Sequence, residues 1–256
     1  MNQGTNDSSG SDALPGTGPR DAAPKPDAPL AFTLVRIAAV WVLSDLSFYL
    51  LLPALGLTSS YNGGSVAVSV HYVYWTGIAG SAFSPLYATW FRDSPRPVFE
   101  QRLASYVLWS ISFAGFVLFA AYVLPMLPPP AWTQSWDPPE IRVATSLYFL
   151  PKSIEILFQQ FLILALVLAL AARGYSLRRI SITCALAFGG VHVLLALGGM
   201  PLGYVVRFML AATAFGFIFP VLILRVRNGL AYSYILHWIY YAVTVAMPRL
   251  LAAPGG

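Results

Sequence analysis

The run Pro151-Lys152-Ser153-Ile154-Glu155-Ile156-Leu157-Phe158-Gln159-Gln160 sets an amine, a carboxylate and an amide at i, i+3 and i+7, a spacing that a helix gathers on one face. A carboxylate held there could take a proton from water as a general base. Two histidines stand in later stretches: His192, at the end of Phe188-Gly189-Gly190-Val191-His192, and His237, four residues before Tyr241. One Glu and two His on three separate segments can activate water, bind a metal or relay protons. Each also has a structural reading. Lys152 and Glu155 could form an ion pair that joins helices, either histidine could be interhelical glue, and the tyrosines of Tyr232–Tyr241 could be packing and interface residues.

These residues are conspicuous because of what surrounds them. The 256-residue chain is 57% hydrophobic and only 10% charged. A water-soluble fold keeps roughly a quarter of its residues charged, so most of this surface must meet lipid. Soluble enzymes and nucleic-acid binders are thereby excluded. In hydrocarbon a charged side chain costs about 2.5–3.5 kcal/mol at a helix centre, so each one needs a partner or a purpose. Besides the residues above, that group comprises Asp45, His71 and Arg207. Asp45 and Arg207 read as structural partners or snorkelling groups, and His71 is open between the two readings.

The expected fold is all-α: a polytopic membrane bundle of about seven helices with its N-terminus in the cytoplasm. Apolar stretches long enough to cross about 30 Å of hydrocarbon recur at 31–55, 65–90, 103–127, 144–172, 179–198, 202–224 and 229–250. Pro85 is expected to kink or end the second, and Gly189 and Gly190 to allow close helix approach in the fifth. Basic residues alternate between loops. Arg20, Lys25 and Arg36 lie at the start, Arg92, Arg96 and Arg102 between the second and third segments, Arg173, Arg178 and Arg179 between the fourth and fifth, and Arg225 and Arg227 between the last two. The intervening loops carry only Arg142, which satisfies the positive-inside rule for seven spans. The net charge of +5 is therefore read as orientation rather than as a docking signal. Residues 1–30, rich in Gly, Ser, Asp, Pro and Ala, read as a disordered tail without a signal-peptide core. Trp132 and Trp136 read as interfacial anchors, and the lone Cys184 as a small buried hydrophobe.

The three motifs, in their order, resemble those of the CPBP family of intramembrane proteases, which includes the type II CAAX prenyl endopeptidases and bacteriocin-processing and immunity proteins. The family's EExxxR motif is similar to Ile154-Glu155-Ile156-Leu157-Phe158-Gln159, its FxxxH is matched by Phe188 and His192, and its third by His237 with Tyr241 where Asn is usual. The likeness covers about 143–245. It implies a four-helix catalytic core at 143–250, with three accessory transmembrane helices at 31–142. Aligned on Phe158, Ile154 stands where the family has its first Glu and Gln159 where it has Arg. A one-residue shift puts Gln160 at the Arg position instead. Either way one carboxylate and one guanidinium are missing, and their joint loss is consistent with compensation.

The resemblance implies an intramembrane peptidase hydrolysing a membrane-associated or prenylated substrate in a prokaryotic cell membrane. Glu155 would activate water, His192 and His237 would hold it and stabilise the oxyanion, and Gln159 or Tyr241 would donate further hydrogen bonds. Glu and two His also make up the three ligands of a catalytic zinc site. A metal is nevertheless disfavoured, because Glu155 as ligand leaves no helix carboxylate to act as base. HExxH and GxSxG are absent, and Asp45 has no second intramembrane Asp for an aspartyl pair. Two other classes compete: a catalytically silent relative acting as a membrane binding, immunity or scaffold protein, and a proton-coupled carrier. Ile154, Gln159 and Tyr241 are the departures that favour silence.

Overall fold

The structure, a computed structural model, describes residues 29–93, 99–130, 139–197 and 199–251. The tail, Trp132, Trp136 and the side chains of Arg92, Arg96, Arg102 and Arg142 lie outside the described set. Every regular element among the described residues is helical. Seven long helical segments fall on the seven apolar stretches: α1 (Leu30–Ala54), α2 (Ser65–Ala82), α3 (Phe99–Leu118, continuing to Met126), α4 (Phe149–Ala171), α5 (Leu177–Val191), α6 (Leu202–Arg225) and α7 (Gly229–Leu250). Five of them, α1, α3, α4, α5 and α6, are long and apolar enough to cross a membrane. The molecule is an all-α, multi-pass membrane architecture. In α2 and α7 the polar aromatics dilute the apolar signal: His71, Tyr72, Tyr74 and Trp75 in one, Tyr232, Tyr234, His237, Tyr240 and Tyr241 in the other.

Prolines shape the helices where the sequence places them. Helix α2 ends at Ala82, and a separate helix, Ser84–Asp93, begins with Pro85 in its first turn, where a missing N–H costs nothing. Pro53 and Pro125 each follow a five-residue π-helical turn, Ser47–Leu51 and Phe119–Val123. A proline ring crowds the carbonyl four residues before it, and widening the turn there lets the helix continue.

Helix α4 is the hub. Nearly every position from Leu162 to Leu170 is buried, so it reads as apolar on all sides, as a helix enclosed by others does. It packs against α1, α2, α5, α6, α7 and Ser84–Asp93. Polar contacts fix its neighbours: the Trp238 indole donates to Ser153 Oγ (2.9 Å), the Tyr234 hydroxyl to the Ser153 carbonyl (3.2 Å) and the Tyr87 hydroxyl to the Phe161 carbonyl (2.8 Å). The closest helix pair is α5 with α6. A Cβ on Gly216 would come 2.3 Å from Ala185 Cα, and one on Gly189 would come 2.1 Å from Thr213 Oγ1. Gly190 faces open space, so of the two glycines read as packing residues only Gly189 serves that purpose. By contrast, α3 is largely exposed along its length and meets the bundle through Trp109 against Tyr234, Phe116 stacked on Trp238 at 4.0 Å and Phe119 against Phe149.

One end of the bundle is tied together by its loops. The Tyr61 amide donates to Glu140 Oε1 (3.0 Å), and Asn62 donates to the Glu140 carbonyl (3.1 Å) while accepting from the Thr145 amide (3.0 Å). Arg249 at the end of α7 donates to the Ala144 carbonyl (2.6 Å).

Candidate functional site

Helix α4 carries Lys152, Glu155 and Gln159 on one face, and the structure joins all three. Lys152 Nζ pairs with Glu155 Oε2, and Gln159 Nε2 donates to Glu155 Oε1 at 2.8 Å. A third donor comes from the α1–α2 loop: the Tyr61 hydroxyl reaches Glu155 Oε2 at 2.7 Å and lies 2.9 Å from the Tyr72 hydroxyl of α2. Burial foremost, and then the Glu155 carboxylate, hold the Tyr61 hydroxyl well above the ordinary tyrosine range, so it remains a donor. Lys152 is buried and sits over the rings of Tyr61 (4.3 Å), Tyr241 (4.6 Å) and Tyr148 (5.8 Å). Three π-faces and one carboxylate together replace the water an ammonium would otherwise need.

A second polar group lies deeper along α4. Gln160, completely buried, accepts from Ser233 Oγ at 2.8 Å and donates to His237 Nδ1 at 3.3 Å. The amide can only donate from its nitrogen, so Nδ1 of His237 is the acceptor and Nε2 carries the proton. The imidazole is enclosed by Phe215 (5.4 Å), Phe219 (5.9 Å) and Tyr241 (5.7 Å, stacked). Tyr241 therefore stands between the two groups, with Lys152 over its ring and His237 stacked on it.

His192 caps the C-terminus of α5. Its Nδ1–H donates to the Phe188 carbonyl at 2.6 Å, which leaves Nε2 as a bare acceptor beside Phe208. Among the described residues no hydrogen bond connects Glu155, His192 and His237 with one another. Each is held by its own partner: Tyr61, Lys152 and Gln159 for the first, the Phe188 carbonyl for the second, Gln160 for the third. Nor do the described residues bring three His, Cys, Asp or Glu side chains together as a metal would require.

The residues that sequence reasoning passed over are tyrosines. Tyr61 and Tyr72 complete the Glu155 site, and Tyr148 completes the cage around Lys152. A polar aromatic is an ambiguous sign in a membrane protein, since the same residue serves as an interface anchor. Of the residues read as structural, Arg207 sits over the rings of Tyr204 (5.6 Å) and Phe208 (5.3 Å). His71 packs against Phe48 and Tyr72 with Nε2 buried and no protein partner. Two open apolar grooves flank α2, one of about 500 Å³ between Leu43, Leu50 and Trp75 and another along Val73, Gly77 and Ser81, and neither is lined by Glu155 or the two histidines. No family model matches the chain, and comparison with curated proteins and with solved structures likewise returns no match.

Proposed function

We propose that the chain is a seven-span membrane protein with its N-terminus on the cytoplasmic side, CPBP-like in its motifs but catalytically silent, acting by binding a membrane-embedded partner as an immunity or scaffold protein does. The observation that carries this reading is the state of Glu155. Both of its oxygens are engaged by protein donors, Oε2 by Lys152 and Tyr61 and Oε1 by Gln159. A general base needs a lone pair free to take water at about 2.6–3.2 Å, and here three of roughly four acceptor positions are occupied. The ammonium also neutralises the charge that would draw the proton.

The test is to reconstitute wild type and Glu155→Gln in liposomes with a membrane-protein extract and to compare new peptide termini by mass spectrometry. Identical termini are expected. Termini produced by wild type and missing from Glu155→Gln would replace this reading with hydrolysis. One observation favours that second reading: Nδ1 of His192 is fixed by its own helix, which leaves Nε2 oriented and unbonded, as in a histidine set to bind or to take a proton. Under it, Glu155→Ala, His192→Ala and His237→Ala each abolish cleavage without preventing insertion.

A further inference from the structure

We infer that the end of the bundle formed by the α4–α5 and α6–α7 turns is a docking surface for the phosphate headgroup of an anionic lipid, received by Arg178, Arg179, Arg225 and Arg227. Four observations meet there. Helices α5 and α6 run antiparallel in close contact, Ala185 against Gly216 and Ser181 donating to the Phe217 carbonyl at 3.3 Å. Continuing that register to the helix ends sets Arg178 and Arg179, in the first turn of α5, beside Arg225 and Arg227, at and just after the last turn of α6. All four side chains are exposed, and among the described residues none forms an ion pair with a carboxylate.

The third observation is a local conflict. The first turn of α5 is the positive end of its peptide dipoles, where acidic residues are favourable and cations are not, yet it holds two arginines and no acid. Ser176 Oγ accepts the Arg179 amide at 3.4 Å, and helix α7 starts at the same end without a side-chain cap. An anion resolves the conflict by meeting the first turn of α5 and the guanidinium groups beside it. Fourth, the contrast with the opposite end is sharp. Arg249 there is buried and bonded to a carbonyl, and the carboxylates with described side chains, Asp45, Glu140 and Glu155, lie away from the arginine end. Because the surface lies at the end of membrane-spanning helices, a phosphodiester at the bilayer surface is within reach of it.

Purified wild-type protein is titrated with short-chain phosphatidylglycerol or phosphatidylcholine, reading the thermal midpoint. The midpoint is expected to rise with phosphatidylglycerol alone, by an amount that shrinks as salt is added. A surface arginine near an anionic membrane contributes about fivefold in affinity. Replacing all four by Gln is therefore expected to lower the apparent affinity by about 600-fold, with the phosphatidylcholine midpoint unchanged. An equal response to both lipids, or an undiminished response in the variant, overturns the inference. So does inorganic phosphate reproducing the effect at the same concentration, since the anion received is then a soluble one. Should the variant fail to insert, photoactivatable phosphatidylglycerol on wild type decides: labels are expected on 172–179 and 225–230, and labels confined to 55–64 or 139–145 sink it.

Discussion

At the scale of single residues, the centre of the molecule is an exercise in satisfying polar groups where no water helps. Lys152 and Glu155 cancel, and tyrosines supply what remains. Removing one member leaves an uncompensated charge, so Glu155→Gln is expected to destabilise the protein by about 3–5 kcal/mol in an unfolding titration. The paired change Lys152→Met with Glu155→Gln should recover most of that loss. If the pair is no better than the single variant, the ion pair is not what holds this site. Gln160 makes a complementary case. Gln160→Leu strands His237 Nδ1 and is expected to cost about 1–3 kcal/mol, while Ser233 suffers less because its hydroxyl also donates to the Leu230 carbonyl at 2.9 Å. The shared face of Lys152, Glu155 and Gln159 is legible from helical spacing alone. That Gln160 would reach His237 rather than take the place of an arginine is not, because adjacent residues lie about 100° apart on a helix and only the neighbours decide which one is used.

At the scale of helices, the boundaries follow from the sequence with little help. Apolar runs and Pro85 mark where the helices lie, since in hydrocarbon a backbone has almost no alternative to a helix. What the pattern does not give is which helix is enclosed. All the segments are apolar, and only packing separates α4, mostly buried, from α3, mostly exposed. The glycines sharpen the point. Gly216→Ala would drive a methyl group into the α5 backbone and is expected to cost about 1–3 kcal/mol, whereas Gly190→Ala meets nothing and, by its better helix propensity, should be neutral or slightly stabilising. Thermal midpoints of the two variants side by side make the comparison. Equal effects would mean that α5 and α6 are not in close contact.

For the molecule as a whole, the proposed seven-span arrangement predicts an odd number of crossings. Cys184 is completely buried, so a cysteine-free background or the native chain alike gives a quiet baseline for labelling. Single cysteines at Ser60 and Ser176 are expected to react from opposite sides of intact vesicles, with Ser176 on the side of the N-terminus. Labelling from the same side would require one helix to lie along the membrane rather than through it, and α2, the least apolar in pattern, would be the first suspect. The α1–α2 loop matters at this scale too, because it carries Tyr61 from the first two helices onto a carboxylate of the fourth. The expectation of a core at 143–250 leaves Tyr61 outside it, because hydrophobicity carries no trace of a hydroxyl contributed from 94 residues earlier in the chain.

The bond from Gln160 to Ser233 spans 73 residues and closes only with the last helix. A ribosome working at about 5–20 residues per second needs roughly 4–15 s to travel that distance. Until that distance is covered, the amide of Gln160 in the middle of the central helix lacks its side-chain partners Ser233 and His237. Biogenesis of this protein thus has a built-in waiting period, during which the half-made bundle must be sheltered by the insertion machinery. A chain stopped short of Ser233 leaves that amide without either side-chain partner.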